Sequence, residues 1–322
     1  MSLPFCYVIA RKALTRVSLT SFVVLGALAL PLIGAQPKRT FTVEADIETS
    51  DVWREFPRWN AGQLVGVHSN RSDAPVIYTV DRDGRRDEYL FTISDAKGIH
   101  INDVAITPDG EIGLVGGAYG VEGRYTTFVA RIAPDRKSQT VTRTWPYCPI
   151  VVTIAADGSI WTIGRLKNEE GTEDLAEAVL RTYGEKGTAL QSGRINIQRP
   201  LRRTIEVSYL FSSRDRVGWL TTGGEYIEFS LDGKEIGRYK GPEGSDRGIG
   251  GGVAMSEDND VVAGNFDNGK AEFVVLDRSS GEWVPGSFEK EQAPRWVRVL
   301  GFDGTTLVTT PANGRLRRFK TK

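Results

Sequence analysis

A tight turn centred on Asp or Asn and flanked by short apolar runs recurs along the whole chain. It restricts the fold more than any other feature. Val104–Ile106 runs through Thr107-Pro108-Asp109-Gly110 into Ile112–Gly117, and Val151–Ala155 through Asp157-Gly158 into Ile160–Gly164. Similar pairs surround Asp215, Asp258-Asn259 and Asp303-Gly304, with a weaker copy at Asn60-Ala61-Gly62. Asp/Asn-Gly between apolar runs is a hairpin signal, because both residues tolerate positive φ. The turns at 60, 109, 157, 215, 258 and 303 are spaced about 49 residues apart on average. The one long step contains the polar stretch 166–174, which reads as a loop insertion.

Most units continue with two further strand-like runs, for example Tyr226–Leu231 and Glu235–Tyr239. Four short strands per 40-odd residues is the blade of a β-propeller. The predicted fold is all-β: a six-bladed β-propeller over residues 36–322. A seven-bladed ring with one degenerate blade, a β-sandwich and a β-helix are the competing arrangements. The last unit supplies only three strands, Trp296–Leu300, Thr306–Thr310 and Arg315–Phe319. The alternating segment Phe41–Ile47 precedes the first unit and is expected to be the missing outer strand, closing the last blade and leaving no open edge.

Residues 1–16 carry Arg11, Lys12 and Arg16 with no acid, and residues 17–35 carry no charge. A basic stretch followed by an apolar one reads as an export signal, ending at Gly34-Ala35. Its 19 apolar residues are also long enough to serve as an uncleaved membrane anchor. The expected location is therefore secreted or periplasmic, or membrane-anchored through residues 17–35. The whole chain balances 41 basic against 41 acidic residues. Without the first 35 the balance is 38 against 41, which is no footprint for a nucleic-acid partner. Of two cysteines only Cys148 remains, read as a small buried residue. A monomer is expected.

In a propeller, loops leading into the inner strands line one mouth of the central funnel. Here they are expected to hold Glu55 and Arg58, Asn102 and Asp103, Tyr147 and Cys148, Arg203 and Glu206, Arg247, and Arg295. Arginine grips carboxylate or phosphate through a planar fork. Arg203, Arg247, Arg295 and Tyr147 are thus candidate ligand-binding residues for a protein, peptide or small anionic ligand. Ion pairing across blades, or simple solvation, would use the same arginines equally well. His68 and His100 fall in separate units and read as polar surface. The turn aspartates, including Asp81-Arg82-Asp83-Gly84 and Glu257-Asp258-Asn259-Asp260, lack the spacing of a calcium loop and read as structural. Gly248–Gly252 runs into a strand rather than a helix, so it reads as turn or inner-strand packing. No Walker loop, Gly-x-Ser-x-Gly or His-Glu-x-x-His occurs.

Two segments resemble the gluconolactonase / senescence-marker-protein family, within the broad group of six-bladed propellers that also contains NHL-repeat proteins. Glu55-Phe56-Pro57-Arg58-Trp59 is similar to the family's Glu-Gly-Pro-x-Trp, and Asn102-Asp103 through Pro108-Asp109-Gly110 to its Asn-Asp…Pro-Asp-Gly. The resemblance implies Glu55 and Asn102 as two ligands of a divalent metal such as calcium that assists lactone hydrolysis, with Glu206 offered by a later inner strand. The first motif lacks its glycine, and the third inner strand begins Cys148-Pro149-Ile150 without an Asn. From the residues themselves no cofactor is expected, and the leading expectation is a non-enzymatic ligand binder. The alternative is a metal-dependent lactonase-like hydrolase.

Overall fold

The computed structural model describes residues 40–48, 55–60, 62–68, 71–120, 122–168, 177–198, 209–245, 251–265, 272–288, 297–311 and 315–321. The expected signal or anchor at 1–35 lies outside them. The described chain is all-β and begins with β1 (Thr40–Glu48). The first antiparallel meander is β2 (Glu55–Asn60), β3 (Gln63–His68), β5 (Val76–Asp81) and β6 (Arg86–Leu90), with the two-residue β4 (Arg71–Ser72) between β3 and β5. Next comes β7 (Ala96–Ile106), β8 (Ile112–Gly120), β9 (Tyr125–Ile132) and β10 (Gln139–Arg143), which β4 extends at β7. The third is β11 (Tyr147–Ile154), β12 (Ile160–Leu166), β13 (Glu177–Tyr183) and β14 (Ala189–Asn196). The fourth is β15 (Tyr209–Ser212), β16 (Arg216–Leu220), β17 (Glu225–Ser230) and β18 (Glu235–Lys240). Then follow β19 (Val253–Met255), β20 (Val261–Asn265), β21 (Glu272–Asp277) and β22 (Glu282–Pro285), and the short β23 (Ser287–Phe288). The chain ends in β24 (Val297–Asp303), β25 (Thr306–Pro311) and β26 (Arg315–Thr321).

The first and last described strands meet in that last sheet. β1 lies antiparallel on β26, with Val43 opposite Phe319 and Glu48 opposite Arg315. The segment expected to complete the last unit does pair there.

Burial follows strand position. β8 is buried over its first seven residues, whereas β6, β10 and β18 are mostly exposed or half-buried. Strands buried on both faces read as continuous apolar runs, which is why the first two strands of each repeat stand out in the sequence. The apolar side chains form clusters at the junctions between consecutive meanders. Val65, Val67 and Ile77 pack on Ile99, Leu114 and Phe128; Ala105 and Val129 on Val152 and Tyr183; Trp161 and Ile163 on Trp219 and Phe229. Leu220 and Tyr226 pack on Val253 and Val261, and Ala254 and Phe273 on Val299 and Phe319. Trp59 and Tyr78 then meet Leu300 and Leu316, so the last meander shares a core with the first. The architecture is propeller-like.

The turns behave as their composition predicts. Gly110 has φ +94°, and Asn259 takes the same left-handed role at +67°. Asp81 Oδ1 accepts the amides of Asp83 and Arg85, each at 2.9 Å, so the carboxylate folds back on its own turn.

The first and last meanders also join by parallel pairing of β2 with β24, Trp59 opposite Gly301. A Cβ on Gly301 would run into the carbonyl oxygen of Trp59. Because the obstacle is backbone, Gly301→Ala should cost about 2 kcal/mol or more, on the scale of other overpacking changes. Urea unfolding of that variant checks it; a loss under about 0.5 kcal/mol would show that the junction tolerates a wider spacing.

Candidate functional site

The inner strands surround a central cavity of about 100 Å³. Its wall takes residues from β2, β7, β11, β15, β19 and β24. Four of these strands carry register irregularities: between Glu55 and Arg58, Ile101 and Asp103, Pro149 and Val151, and Val299 and Gly301. A bulge adds a residue and re-aims its neighbours. It accounts for Asn102 and Asp103, adjacent in sequence, both lining the cavity.

Arg58 ties the channel together. Its Nη1 donates to the carbonyl oxygens of Val152 (2.9 Å) and Leu210 (2.5 Å), and its Nη2 to Asp103 Oδ2 (2.6 Å). Asp103 Oδ2 also accepts the Val152 amide at 2.8 Å. One guanidinium therefore links β2 to β7, β11 and β15. Burial pushes the Asp103 carboxyl up to about 6, against the opposing pull of Arg58 and of the backbone amides of Val152 and Val104. Asn102 Nδ2 donates to Pro149 O (2.9 Å), and Asn60 Nδ2 to Ile106 O (2.6 Å). Thr153 and Ser212 hydroxyls meet at 3.2 Å.

A second arginine faces the same cavity. Arg298 of β24 lines it, and with the Gly252 amide it approaches the hydroxyl of Tyr209 on β15. Burial raises the Tyr209 pKa, with Arg298 and Arg58 opposing, so the phenol stays neutral at physiological pH.

The expected site residues fall into three groups. Arg203, Glu206, Arg247 and Arg295 lie outside the described residues. Glu55 begins β2, but its side chain is not among those described. Arg58, Asn102, Asp103, Tyr147 and Cys148, expected in loops, all lie within strands, because the inner strands start earlier than the apolar runs suggest. Tyr147 is the plainest correction. It is fully buried inside its own meander, with its hydroxyl on Thr162 (2.9 Å) and Val179 O (3.2 Å) and Arg181 stacked on its ring. It does not line the cavity. Cys148 is buried, as read.

The described cavity wall does not suit a divalent metal. Its one carboxylate, Asp103, is already neutralised by Arg58, and the same guanidinium takes the Val152 and Leu210 carbonyl oxygens that a hard cation would need. Among the described residues no group of three His, Cys, Asp or Glu converges.

Tyr209 and Arg298 are the site residues that sequence reading passed over. The available signal was a charge inside an apolar inner strand, Val297-Arg298-Val299-Leu300, where an unpaired charge is costly.

No protein-family profile matches the chain, and no curated protein sequence matches it. Solved structures do. A luciferin-regenerating enzyme superposes with a TM-score of 0.50 at 9% identity, covering 86% of this chain and 96% of that one. Two crystal structures of BBS1N in complex with ARL6DN give TM-scores of 0.45 and 0.46 at 13% and 12% identity. They cover 81% and 88% of this chain and 74% and 97% of those. At such identities the likeness to the luciferin-regenerating enzyme concerns architecture alone, and that architecture is the propeller-like arrangement built above.

Proposed function

We propose that the chain is an exported six-bladed β-propeller that carries no catalysis of its own and holds a small ligand in its central channel. The six-bladed reading is supported by the inter-meander cores, which run from each meander to the next and back to the first. The ligand-binding reading is carried by one observation. The inner-strand polar groups around Arg58 are spent on one another, yet a cavity of about 100 Å³ remains with a further arginine on its wall. A fixed scaffold around a small cavity suits recognition. Residues 1–35 direct export and are removed, and the mature protein is a monomer.

One experiment on protein expressed in an exporting host tests both halves. Intact mass should show an N-terminus at Gln36. A thermal-shift panel of small metabolites should yield stabilising ligands, while esters and lactones are not turned over. Retention of Met1 would overturn cleavage, and robust ester or lactone hydrolysis would overturn the non-catalytic reading.

A further inference from the structure

We infer that the cavity between Arg298, Tyr209 and Arg58 binds the carboxylate group of a short monocarboxylic acid. The inference rests on the ligand-binding reading above and names its chemistry.

Charge is the first reason. The described cavity wall carries two guanidiniums, Arg58 and Arg298, against one carboxylate, Asp103. Arg58 spends its Nη1 and Nη2 on Asp103 and two backbone carbonyls. No carboxylate among the described residues pairs with Arg298. Among the described residues one positive charge therefore has no counter-charge, in a confined space where a charge-assisted hydrogen bond is strong.

Stoichiometry is the second. A single available guanidinium matches a monoanion, whose two oxygens fit its planar fork. A phosphate dianion would need a second free cation, and Arg58 is committed. The Tyr209 hydroxyl beside Arg298 supplies a neutral polar partner on the same wall.

Size and polarity are the third. A cavity of roughly 150 Å³ accommodates benzene. The volume here is about 100 Å³, so the ligand is an acid of a few carbons. Val151, Val253 and Val299 give its alkyl part an apolar surface.

The test is isothermal titration calorimetry on the purified protein with acetate, propionate and butyrate. Propionamide and butyramide serve as neutral isosteres, and inorganic phosphate as the competing anion. The acids should bind one to one, and the amides and phosphate at least about tenfold more weakly, the loss of one charge-assisted contact. Arg298→Gln should weaken acid binding by about ten- to a hundredfold, and Arg298→Lys by less, since it keeps the charge but loses the fork. Tyr209→Phe, which keeps the ring and removes the hydroxyl, should weaken it severalfold. Thermal melts establish that each variant is folded; if Arg298→Gln is not, the acid–amide comparison on the unaltered protein and Tyr209→Phe decide the matter. Amides binding as tightly as acids, phosphate binding more tightly than either, or full affinity in folded Arg298→Gln would each overturn the carboxylate assignment and leave a channel ligand of other chemistry. If no compound of any charge binds, in this titration or in the metabolite panel, the ligand-binding reading falls and takes this inference with it.

Discussion

Glu228→Gln should destabilise the protein by about 3 kcal/mol at pH 7, the lower end of the cost of stripping a buried ion pair of one partner. Glu228 on β17 is almost fully buried. Arg278, which follows β21 in the next meander, donates to it through Nη2 at 2.5 Å and Nε at 3.0 Å. Arg216 Nη1 reaches it at 3.2 Å and the Tyr226 hydroxyl at 2.8 Å. The amide isostere keeps the shape and removes the charge that two arginines share. Both arginines are partly exposed, at 22% and 28%, so water recovers some of the loss. Arg278→Ala should cost less, because Glu228 keeps Arg216 and Tyr226. Urea unfolding of the two variants checks both the size and the order. A loss below about 1 kcal/mol for Glu228→Gln would mean that the cluster is solvated in solution.

The pH behaviour of this glutamate has the usual sign. Burial raises its pKa, but the hydrogen bonds and charges of Arg278, Arg216 and Tyr226 outweigh burial and hold it below the ordinary value. Its contribution to stability is present above the unfolded pKa and is lost as pH falls through the depressed folded one.

Asp103 should behave in the opposite sense, and the effect is of similar size. Its carboxyl titrates near 6 in the folded protein and near 3.8 unfolded. Between those values the folded state holds a proton that the unfolded state has released, so stability falls as pH rises through this window. Two units correspond to about 3 kcal/mol. Asp103→Asn carries no titration there. Measured as unfolding free energy against pH, the variant should gain about 3 kcal/mol on the unaltered protein between pH 3.5 and 7. Tyr209, which shares the cavity wall, is held above its ordinary pKa by burial and stays neutral across that range. A flat difference, or one of opposite slope, would mean that Arg58 compensates the buried carboxylate fully. The physical content is that a buried ion pair organises the channel at a cost in stability at neutral pH.

The two halves of the structure were unequally legible. The strands and their order were written in the turns, because Asp-Gly pairs demand a backbone conformation that few residues adopt, and Asp109-Gly110 and Asp157-Gly158 announce it. The closing strand was legible too, since Phe41–Ile47 alternates and the last unit lacks a strand. The channel was not. Which face of an inner strand looks inward depends on register, and the bulges beside Arg58, Asn102, Ile150 and Leu300 each reset the alternation. Hence Tyr147, expected in the funnel, is buried inside its meander, while Arg298, unremarked in its apolar run, faces the cavity. Arg58 and Asp103 were placed near the site but as loop residues, and nothing local to either predicts a bond between positions 45 residues apart.

The pairing of β1 with β26 also sets a timetable. Thr40–Glu48 leaves the ribosome long before its partner Arg315–Thr321, about 270 residues further on. No register exists for the early strand until Arg315–Thr321 has been made, so β1 docks late in synthesis. Ribosome-bound chains ending before Arg315 should accordingly leave Thr40–Glu48 open to protease, and chains extended past Thr321 should protect it.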